Sequence, residues 1–354
     1  MRQKLGIIAA SVIVGLTAVV LGIFGNPANM QFCVACFIRD IAGALGLHSA
    51  EPVRYIRPEV IGIVIGAFIA ALVKKEYAPK GGSSPFTRFV LGICVMIGAL
   101  VFLGCPLRVV LRIAGGDLNA VVGLAGFAGG IFTGIAFLNR GFSLKRSYDQ
   151  PAAEGLAVPA VSILLLALLI TAPAFLFFSE SGPGSAHAPL LLSLAGGLAV
   201  GAAAQRSRLC FIGGIRDAVL FKEFNMLMCF GIILAVVFAG NVITGAFNIG
   251  FYNQPIAHAE WVWNILGLYL VGFGSVLLGG CPMRQLVMAG GGNSDAGVTM
   301  LGFITGAAIS HNFALASSGA GTTPNGRIAV AICAIVMFAI AVLNSRKALQ
   351  TRRV

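Results

Sequence analysis

Long uncharged apolar runs recur along this sequence from residue 5 to residue 343. Most are close to the length of about 20 residues that an α-helix needs to cross the hydrocarbon core of a bilayer. The polar stretches between them are too short to form a separate soluble domain. The runs therefore predict an all-α integral membrane protein, in which lipid covers much of the surface.

Ten apolar runs are candidate transmembrane helices. Several are short for a bilayer, which indicates tilted or broken segments and leaves the count at nine or ten. The sequence predicts one polytopic membrane domain over residues 1–354. The candidate helices are residues 5–24, 58–73, 88–104, 118–138, 157–178, 187–205, 226–248, 262–280, 297–317 and 327–343.

Composition excludes several classes of protein. Hydrophobic residues make up 58% of the chain and charged residues only 10%, whereas soluble domains carry roughly 25% charged residues. The net charge of +12 does not indicate a nucleic-acid partner, because the basic residues lie between apolar runs rather than on one face. No Walker motif for ATP occurs, so ATP is not a predicted energy source.

The distribution of Lys and Arg between alternate loops predicts the orientation. If the amino terminus lies in the cytoplasm, about three quarters of these residues face the cytoplasm, as the positive-inside rule requires. The predicted location is the bacterial inner membrane, with both termini cytoplasmic. The basic residues left on the outer side are Arg39, Arg54, Arg57, Arg108, Arg112 and Arg327.

Two motifs occur twice in the same order. Cys-x5-Arg-Asp occupies residues 33–40 and 210–217, and Gly-Cys-Pro-x-Arg occupies residues 104–108 and 280–284, at a spacing of about 177 positions. Five predicted spans, an odd number, separate equivalent positions, so the two copies face opposite sides. We predict two inverted repeats, residues 1–150 and 151–354, a plan typical of membrane transporters.

Each motif lies beside an apolar segment that is too short to cross a bilayer. We predict re-entrant half-helices at residues 33–47, 106–114, 210–221 and 282–289. Irregular backbone at membrane depth needs protein or a water-filled cavity around it, so the motifs are expected to line a cavity. The prolines place Cys105 and Cys281 at half-helix amino termini, which favour anions, and the two thiols are expected to face each other.

Cysteine and arginine side chains form the candidate substrate site. A buried thiol is soft and polarisable and donates a weak hydrogen bond, which suits a sulfur or selenium atom. A charge within a membrane costs about 2.5–3.5 kcal/mol on insertion scales, so arginines near a pathway indicate attraction of anions and exclusion of cations. The predicted substrate-binding residues are Cys33, Cys36, Cys105, Cys210, Cys281, Arg39, Arg108, Arg216 and Arg284.

The arginines divide between two expected vestibules. We expect the outer vestibule to contain Arg39, Arg108 and Arg112. We expect the inner vestibule to contain Arg206, Arg208, Arg216 and Arg284. A structural alternative stays open, in which Arg39 with Asp40 and Arg216 with Asp217 are ion pairs that fix the half-helices.

Other polar residues and cysteines have simpler interpretations. Asp117 and Asp295 are predicted amino-terminal caps of the helices that follow them. His311 lies deep in a span, where a functional role and a hydrogen bond to a neighbouring helix fit equally well. Three cysteines inside smooth apolar runs are predicted to serve packing alone, namely Cys94, Cys229 and Cys333.

The doubled Gly-Cys-Pro-x-Arg motif, with Cys-x5-Arg-Asp upstream of each copy, resembles the YeeE/YedE family of sulfur transport membrane proteins, along nearly the whole chain. Residues 25–30, 33–40 and 205–210 are similar to the YedE branch, which is associated with selenium transport. The resemblance implies an hourglass-shaped protein in which thiosulfate passes between cysteines by S–H to sulfur hydrogen bonds. It places the pore cysteines at Cys33, Cys105 and Cys281 and implies a cytosolic sulfur carrier protein as partner. Cys36 departs from the family pattern by adding a thiol.

The favoured hypothesis is a transporter or channel for a small inorganic anion of sulfur or selenium, embedded in membrane lipid. It acts without chemistry, cofactor, metal or nucleic acid. The alternative is a membrane thiol enzyme that relays sulfane sulfur, selenium or electrons through cysteine persulfides, supported by Cys33 and Cys36. A third hypothesis, a soft-metal transporter, conflicts with the arginines beside the motifs.

Overall fold

The computed structural model describes the backbone of residues 2–350 and the side chains of residues 4–345. Within that part of the chain almost all regular structure is α-helical, which confirms the predicted fold class. The strands found there, β1 (Lys80–Gly81) and β2 (Tyr148–Asp149), form one short antiparallel pair. The prediction of cytoplasmic termini also uses basic residues whose side chains lie outside this description, namely Arg2, Arg346, Lys347, Arg352 and Arg353.

Long and short helices alternate in an order that occurs twice. The first set is α1 (Arg2–Ile23), α2 (Val34–Ala44), α3 (Pro58–Val73), α4 (Pro85–Phe102), α5 (Pro106–Ala114) and α6 (Leu118–Asn139). Then come α7 (Ala152–Thr171) and the four-residue α8 (Gly182–Ser185). The second set is α9 (Leu190–Ser207), α10 (Phe211–Phe221), α11 (Asn225–Ile243), α12 (Trp261–Leu278), α13 (Pro282–Gly290) and α14 (Ser294–Asn312), followed by α15 (Pro324–Gln350).

Eight helical segments of the described chain are long and apolar enough to cross a membrane. Two of them join a long helix to a half-helix, α4 to α5 and α12 to α13. The two other predicted spans correspond to α9 and α14, which have 18 and 19 residues. Both are less apolar than the other spans because their last turns contain polar residues. These are Gln205 and Arg206 in α9, and His311 and Asn312 in α14.

The four helices at the repeated motifs are too short to cross a bilayer, as predicted. α5 and α13 have 9 residues each, and α2 and α10 have 11 each. At 1.5 Å per residue, a nine-residue helix is only about 14 Å long. The bounds of α5 agree with the prediction, whereas α2 ends three residues early, before Gly46, which adopts a left-handed φ of 75°.

The break between a long helix and its half-helix has a local cause. The residue after α4, Leu103, has a φ of 65°, and the residue after α12, Gly279, has a φ of 78°. The backbone therefore leaves each helix through a left-handed residue. The next helix begins at a proline, which has no N–H to donate and fits the first helical position. Cys105 and Cys281 therefore occupy the extended position just before each half-helix.

Helices of the first set pack against helices of the second set. α1 contacts α11 and α3 contacts α9, while α4 packs on α14 and α6 on α12. Glycines allow the close approach that membrane helices need. A Cβ at Gly197 would lie 2.9 Å from Gly62 Cα, so α3 and α9 meet backbone to backbone. The boundaries of the repeats and their opposite orientation in a membrane stay predictions.

One of the two predicted helix caps is confirmed and the other is wrong. Asp117 caps α6, because its carboxylate accepts a hydrogen bond from the Asn119 N–H. Asn293, rather than Asp295, caps α14 by accepting from the Ala296 N–H. The prediction for Asp295 was wrong because its carboxylate points away from its own helix.

Asp295 instead fixes the loop before α4. It accepts hydrogen bonds from the Ser83 N–H and the Ser147 hydroxyl at 3.0 and 2.7 Å. Arg88 lies 3.8 Å away.

Candidate functional site

Three thiols meet at the amino-terminal ends of α2 and α5. Cys33 Sγ lies 2.9 Å from Cys36 Sγ and 3.9 Å from Cys105 Sγ. All three side chains are buried. We call these residues the three-thiol cluster. Its geometry brings the sequence-predicted Cys33, Cys36 and Cys105 together.

Backbone N–H groups converge on the same cluster. The Cys36 N–H donates to Cys33 Sγ, which thereby caps α2. The N–H groups of Ala35 and Arg108 face the Cys105 thiol. Two helix amino termini thus point their free donors at one place. This arrangement stabilises negative charge on a thiol or on a bound anion.

Arg108 supplies a full positive charge to the three-thiol cluster. Its Nη1 donates to Cys36 Sγ at 3.2 Å. Its other nitrogens donate to the Asn29 and Ile256 carbonyl oxygens at 2.6 and 2.9 Å. The side chain is fully buried and has no carboxylate partner. The guanidinium is therefore held rigidly while its charge is left for an anionic group.

The other buried arginines of the first half are ion-paired. Asp40 accepts from Arg39 at 2.7 Å and from Arg57 at 2.8 Å. Arg112 pairs with Asp117 at 2.6 Å, and its guanidinium lies over the Phe102 ring. Since all of these side chains are buried, Arg39 and Arg112 do not line an open outer vestibule in this structure. For Arg39 the geometry matches the structural alternative.

Two thiols meet in the second half, at the starts of α10 and α13. The Cys210 and Cys281 side chains lie next to each other and interact electrostatically. The Gly213 N–H faces Cys210, and the N–H groups of Phe211 and Arg284 face Cys281. We call this pair the two-thiol cluster. It repeats the arrangement of Cys33 and Cys105 at the equivalent motif positions.

A cavity of about 890 Å³ opens beside the two-thiol cluster. We call it the arginine cavity. Cys210 lines it and is partly exposed, whereas Cys281 lies buried behind. The walls come from α1, α9, α10, α11 and α13. They carry all four arginines expected at the inner vestibule, Arg206, Arg208, Arg216 and Arg284.

Two of these arginines differ in whether a carboxylate neutralises their charge. Arg216 pairs with Asp217 at 2.8 Å, so it again matches the structural alternative as well as attraction of an anion. Arg284 has no carboxylate among its contacts. Its buried Nη1 has no hydrogen-bond partner. Arg284 therefore offers a free donor beside the two-thiol cluster, as Arg108 offers charge beside the three-thiol cluster.

The two clusters differ in access. The three-thiol cluster is sealed, while Cys210 of the two-thiol cluster faces the arginine cavity. Each Gly-Cys-Pro cysteine contacts a cysteine of its own half, Cys105 with Cys33 and Cys281 with Cys210. The expectation that Cys105 and Cys281 face each other along one path stays a prediction.

The sequence alone does not indicate several of the groups that form the site. In the sequence Arg57 indicates only topology, whereas in the structure it is the second partner of Asp40 and directly precedes the proline that begins α3. The carbonyl groups that fix Arg108 come from residues 29 and 256, far apart in the chain, and no sequence signal indicates them. Within the described residues, no group of three or more His, Cys, Asp or Glu side chains could hold a metal ion.

Fold and site together define a polytopic α-helical membrane protein with half-helices that begin directly after a cysteine. Residues 206–349 match the family model described as sulphur transport. The thiosulfate transporter TsuA of Escherichia coli (strain K12) is 26% identical over 120 residues, which cover 34% of this chain and 34% of that protein. Both matches support the resemblance of this chain to the YeeE/YedE family of sulfur transport membrane proteins. The match spans about a third of the curated relative's length, and assignment to the selenium branch stays a prediction.

Proposed function

We propose that this protein transports a small sulfur-containing anion of the thiosulfate type across the bacterial inner membrane. The observation that carries the proposal is the pairing, in each half, of cysteine thiols with an arginine that lacks a carboxylate partner. Arg108 serves one cluster and Arg284 the other. Such a site suits an anion with charged oxygens and a soft terminal sulfur.

The two parts of the site recognise different ends of the anion. Guanidinium and helix N–H groups bind oxygens that carry negative charge, with charge-assisted hydrogen bonds. Thiols contact the terminal sulfur, because S–H is a weak donor and sulfur is polarisable. Sulfate, which has no soft end, loses the second set of contacts. We therefore expect selection of thiosulfate over sulfate.

The proposed route runs between the two thiol clusters and through the arginine cavity. Four arginines line that cavity, against two nearby acids, Asp217 and Glu223. The positive potential raises the local concentration of anions and repels cations. We assign this cavity to the cytoplasmic side, on the distribution of Lys and Arg, and propose that a cytosolic sulfur carrier receives the anion there.

We propose further that anions containing selenium use the same route. Selenium is softer than sulfur, so a third thiol, Cys36, adds polarisable surface at the three-thiol cluster. Competition assays separate the two substrates. Selenium-containing anions that reduce thiosulfate uptake at equal concentration support a shared route, and anions without effect restrict it to sulfur.

Uptake of labelled thiosulfate into vesicles that contain the purified protein tests the proposal. We expect Cys105→Ser and Cys281→Ser each to lower the uptake rate about tenfold, which corresponds to roughly 1.4 kcal/mol. Serine keeps the size and the hydrogen bond but loses the soft sulfur. Cys229→Ser is the matched control, since Cys229 is a buried thiol that donates to its own helix at the Asn225 carbonyl.

Three results contradict the proposal. The first is wild-type protein that takes up no more thiosulfate than empty vesicles. The second is full uptake by both variants at equal protein content, which refutes the role of the thiols. The third is a covalent persulfide on Cys105 after turnover, seen by mass spectrometry, which supports the thiol enzyme instead of passage without chemistry.

A further inference from the structure

One buried carboxylate among the described residues has no cationic partner. The described residues contain four buried carboxylates, and three of them lie near an arginine: Asp40, Asp117 and Asp295. Glu59, in the first turn of α3, is fully buried and has no Lys or Arg partner. A carboxylate in such a place is costly unless it is neutralised.

The contacts of Glu59 are few and lie on one side. Its Oε1 accepts from Asn26 Nδ2 at 2.8 Å and from the Ser193 hydroxyl at 3.2 Å. Its Oε2 is buried without any hydrogen-bond partner. The same Asn26 nitrogen also donates to the Gln31 backbone oxygen, and the buried Gln31 Oε1 has no partner either.

Acceptors therefore outnumber donors around Glu59. A proton on the carboxyl group corrects the imbalance twice, because it removes the buried charge and adds an O–H donor. The positive end of the α3 dipole offsets only part of the cost of burying a carboxylate. We propose that Glu59 is a proton-binding site, which is protonated in the sealed arrangement of the three-thiol cluster.

None of the charged or titratable groups near Glu59 neutralises its carboxylate in place of a proton. Arg57 is held by Asp40, and Tyr55 stacks on His187 with ring centroids 4.0 Å apart. Residues 24–33 contain no ionisable group except Cys33, and α9 contains no charged residue before Arg206. α11, which holds the place of α3 in the second helix set, has no acidic residue.

One short segment joins Glu59 to the thiols. Asn26 donates to both the glutamate and the Gln31 backbone oxygen, the Asn29 carbonyl oxygen holds Arg108, and Cys33 follows two residues after Gln31. Movement of residues 26–33 to admit an anion would expose Glu59 to water. The carboxyl group would keep its proton while Arg108 holds the anion, and it would ionise only when the path opens toward the cytoplasm.

This coupling rests on the proposed function and gives it a driving force. An anion that enters a cell with a negative interior moves against the membrane potential. Each proton that accompanies the anion offsets one negative charge. Release of the Glu59 proton toward the cytoplasm would therefore link uptake to the proton gradient, for which no ATP-binding motif is needed.

Infrared difference spectroscopy tests the proton site without requiring transport. We expect purified wild-type protein to show the carbonyl band of a protonated carboxyl group, lost on alkaline titration and absent in Glu59→Gln. Glu154→Gln, at an exposed glutamate in the first turn of α7, keeps the band. If Glu59→Gln does not fold, Ser193→Ala serves instead, since loss of its hydroxyl shifts the band.

The site assignment is overturned if the wild-type protein shows no such band at acid or neutral pH. A band that Na⁺ removes at constant pH also overturns it, in favour of a metal-cation site. Vesicle assays then test coupling: wild-type uptake of thiosulfate should acidify the lumen and rise severalfold with acid outside. Glu59→Gln should lose both responses.

The two proposals fail in different ways. Wild-type vesicles without thiosulfate uptake refute the proposed function, while the infrared band still reports on Glu59. Uptake without lumen acidification, or with acidification that Glu59→Gln retains, refutes the coupling and leaves thiosulfate transport intact.

Discussion

Buried arginines in this protein differ in what neutralises their charge. Arg39 and Arg57 share Asp40, and Arg112 has Asp117, so these side chains form closed ionic groups. Arg108 has only carbonyl oxygens and a thiol as partners. The difference separates arginines that hold the fold from one that is available to an anion.

Removing the charge of Asp40 should destabilise the protein strongly. Asp40→Asn leaves Arg39 and Arg57 buried without a counter-ion, a loss of about 3–5 kcal/mol in the free energy of unfolding. Thermal unfolding in detergent measures the effect. The matched control is Asp149→Asn, because Asp149 is 90% exposed and its contact with Lys80 is worth about 0–1 kcal/mol. Equal melting temperatures for the two variants contradict the prediction.

Arg108 should not tolerate lysine. Arg108→Lys keeps the charge but cannot reach Cys36, Asn29 and Ile256 at once, because it lacks the planar fork. Loss of one charge-assisted hydrogen bond, about 1.5–3 kcal/mol, should lower thiosulfate uptake by tenfold or more. Arg140→Lys, at an exposed arginine after α6, should transport normally. Uptake by the Arg108 variant within about twofold of wild type argues against the role.

At the scale of elements, helix ends and helix contacts position the thiols. Each Gly-Cys-Pro segment stops one helix and starts another, so its cysteine sits at the free N–H groups of a half-helix. Long helices hold these ends in place by packing closely through glycines. α6 against α12 is one such contact.

Adjacent glycines of α6 should respond differently to alanine. A Cβ at Gly130 would overlap the Tyr269 carbonyl oxygen, whereas a Cβ at Gly129 meets nothing closer than a Tyr269 ring carbon at 3.8 Å. We expect Gly130→Ala to destabilise the protein by about 1–3 kcal/mol through overpacking. Gly129→Ala should be neutral or stabilise it by up to about 1 kcal/mol. Thermal unfolding of both variants, side by side, checks the order.

Over the whole molecule, the two helix sets pack against each other, and only one of the two thiol clusters borders a cavity. α4 packs on α14 and α6 on α12, so neither set forms a separate body. The arginine cavity reaches Cys210, while the three-thiol cluster is closed. A transporter that alternates between two states is expected to show such an asymmetry.

Thiol labelling should reproduce this asymmetry. A membrane-impermeant maleimide added to the cytoplasmic face should modify Cys210, because Cys210 lines the arginine cavity. Cys33, Cys36 and Cys105 should stay unmodified, since they are buried. Mass spectrometry identifies the sites, and Cys210→Ser should abolish the main adduct. Modification of Cys210 only from the periplasmic face reverses the assigned orientation.

Local sequence determined the helices and the positions of the cysteines. Apolar runs gave α3 and α6 to within one residue, because a helix in lipid satisfies its own backbone hydrogen bonds. The Cys-Pro pairs gave the starts of α5 and α13, because proline fits the first helical turn. These features depend on neighbours in the chain, so spacing and residue type were enough.

Only the tertiary structure decided which groups meet. Spacing did not indicate that Arg57 shares Asp40, that Arg108 binds carbonyl oxygens at residues 29 and 256, or that Glu59 lacks a cation. Nor did it indicate that one thiol cluster is sealed and the other open. Such contacts join residues far apart in the chain, and they depend on how helices pack rather than on the residues within each helix.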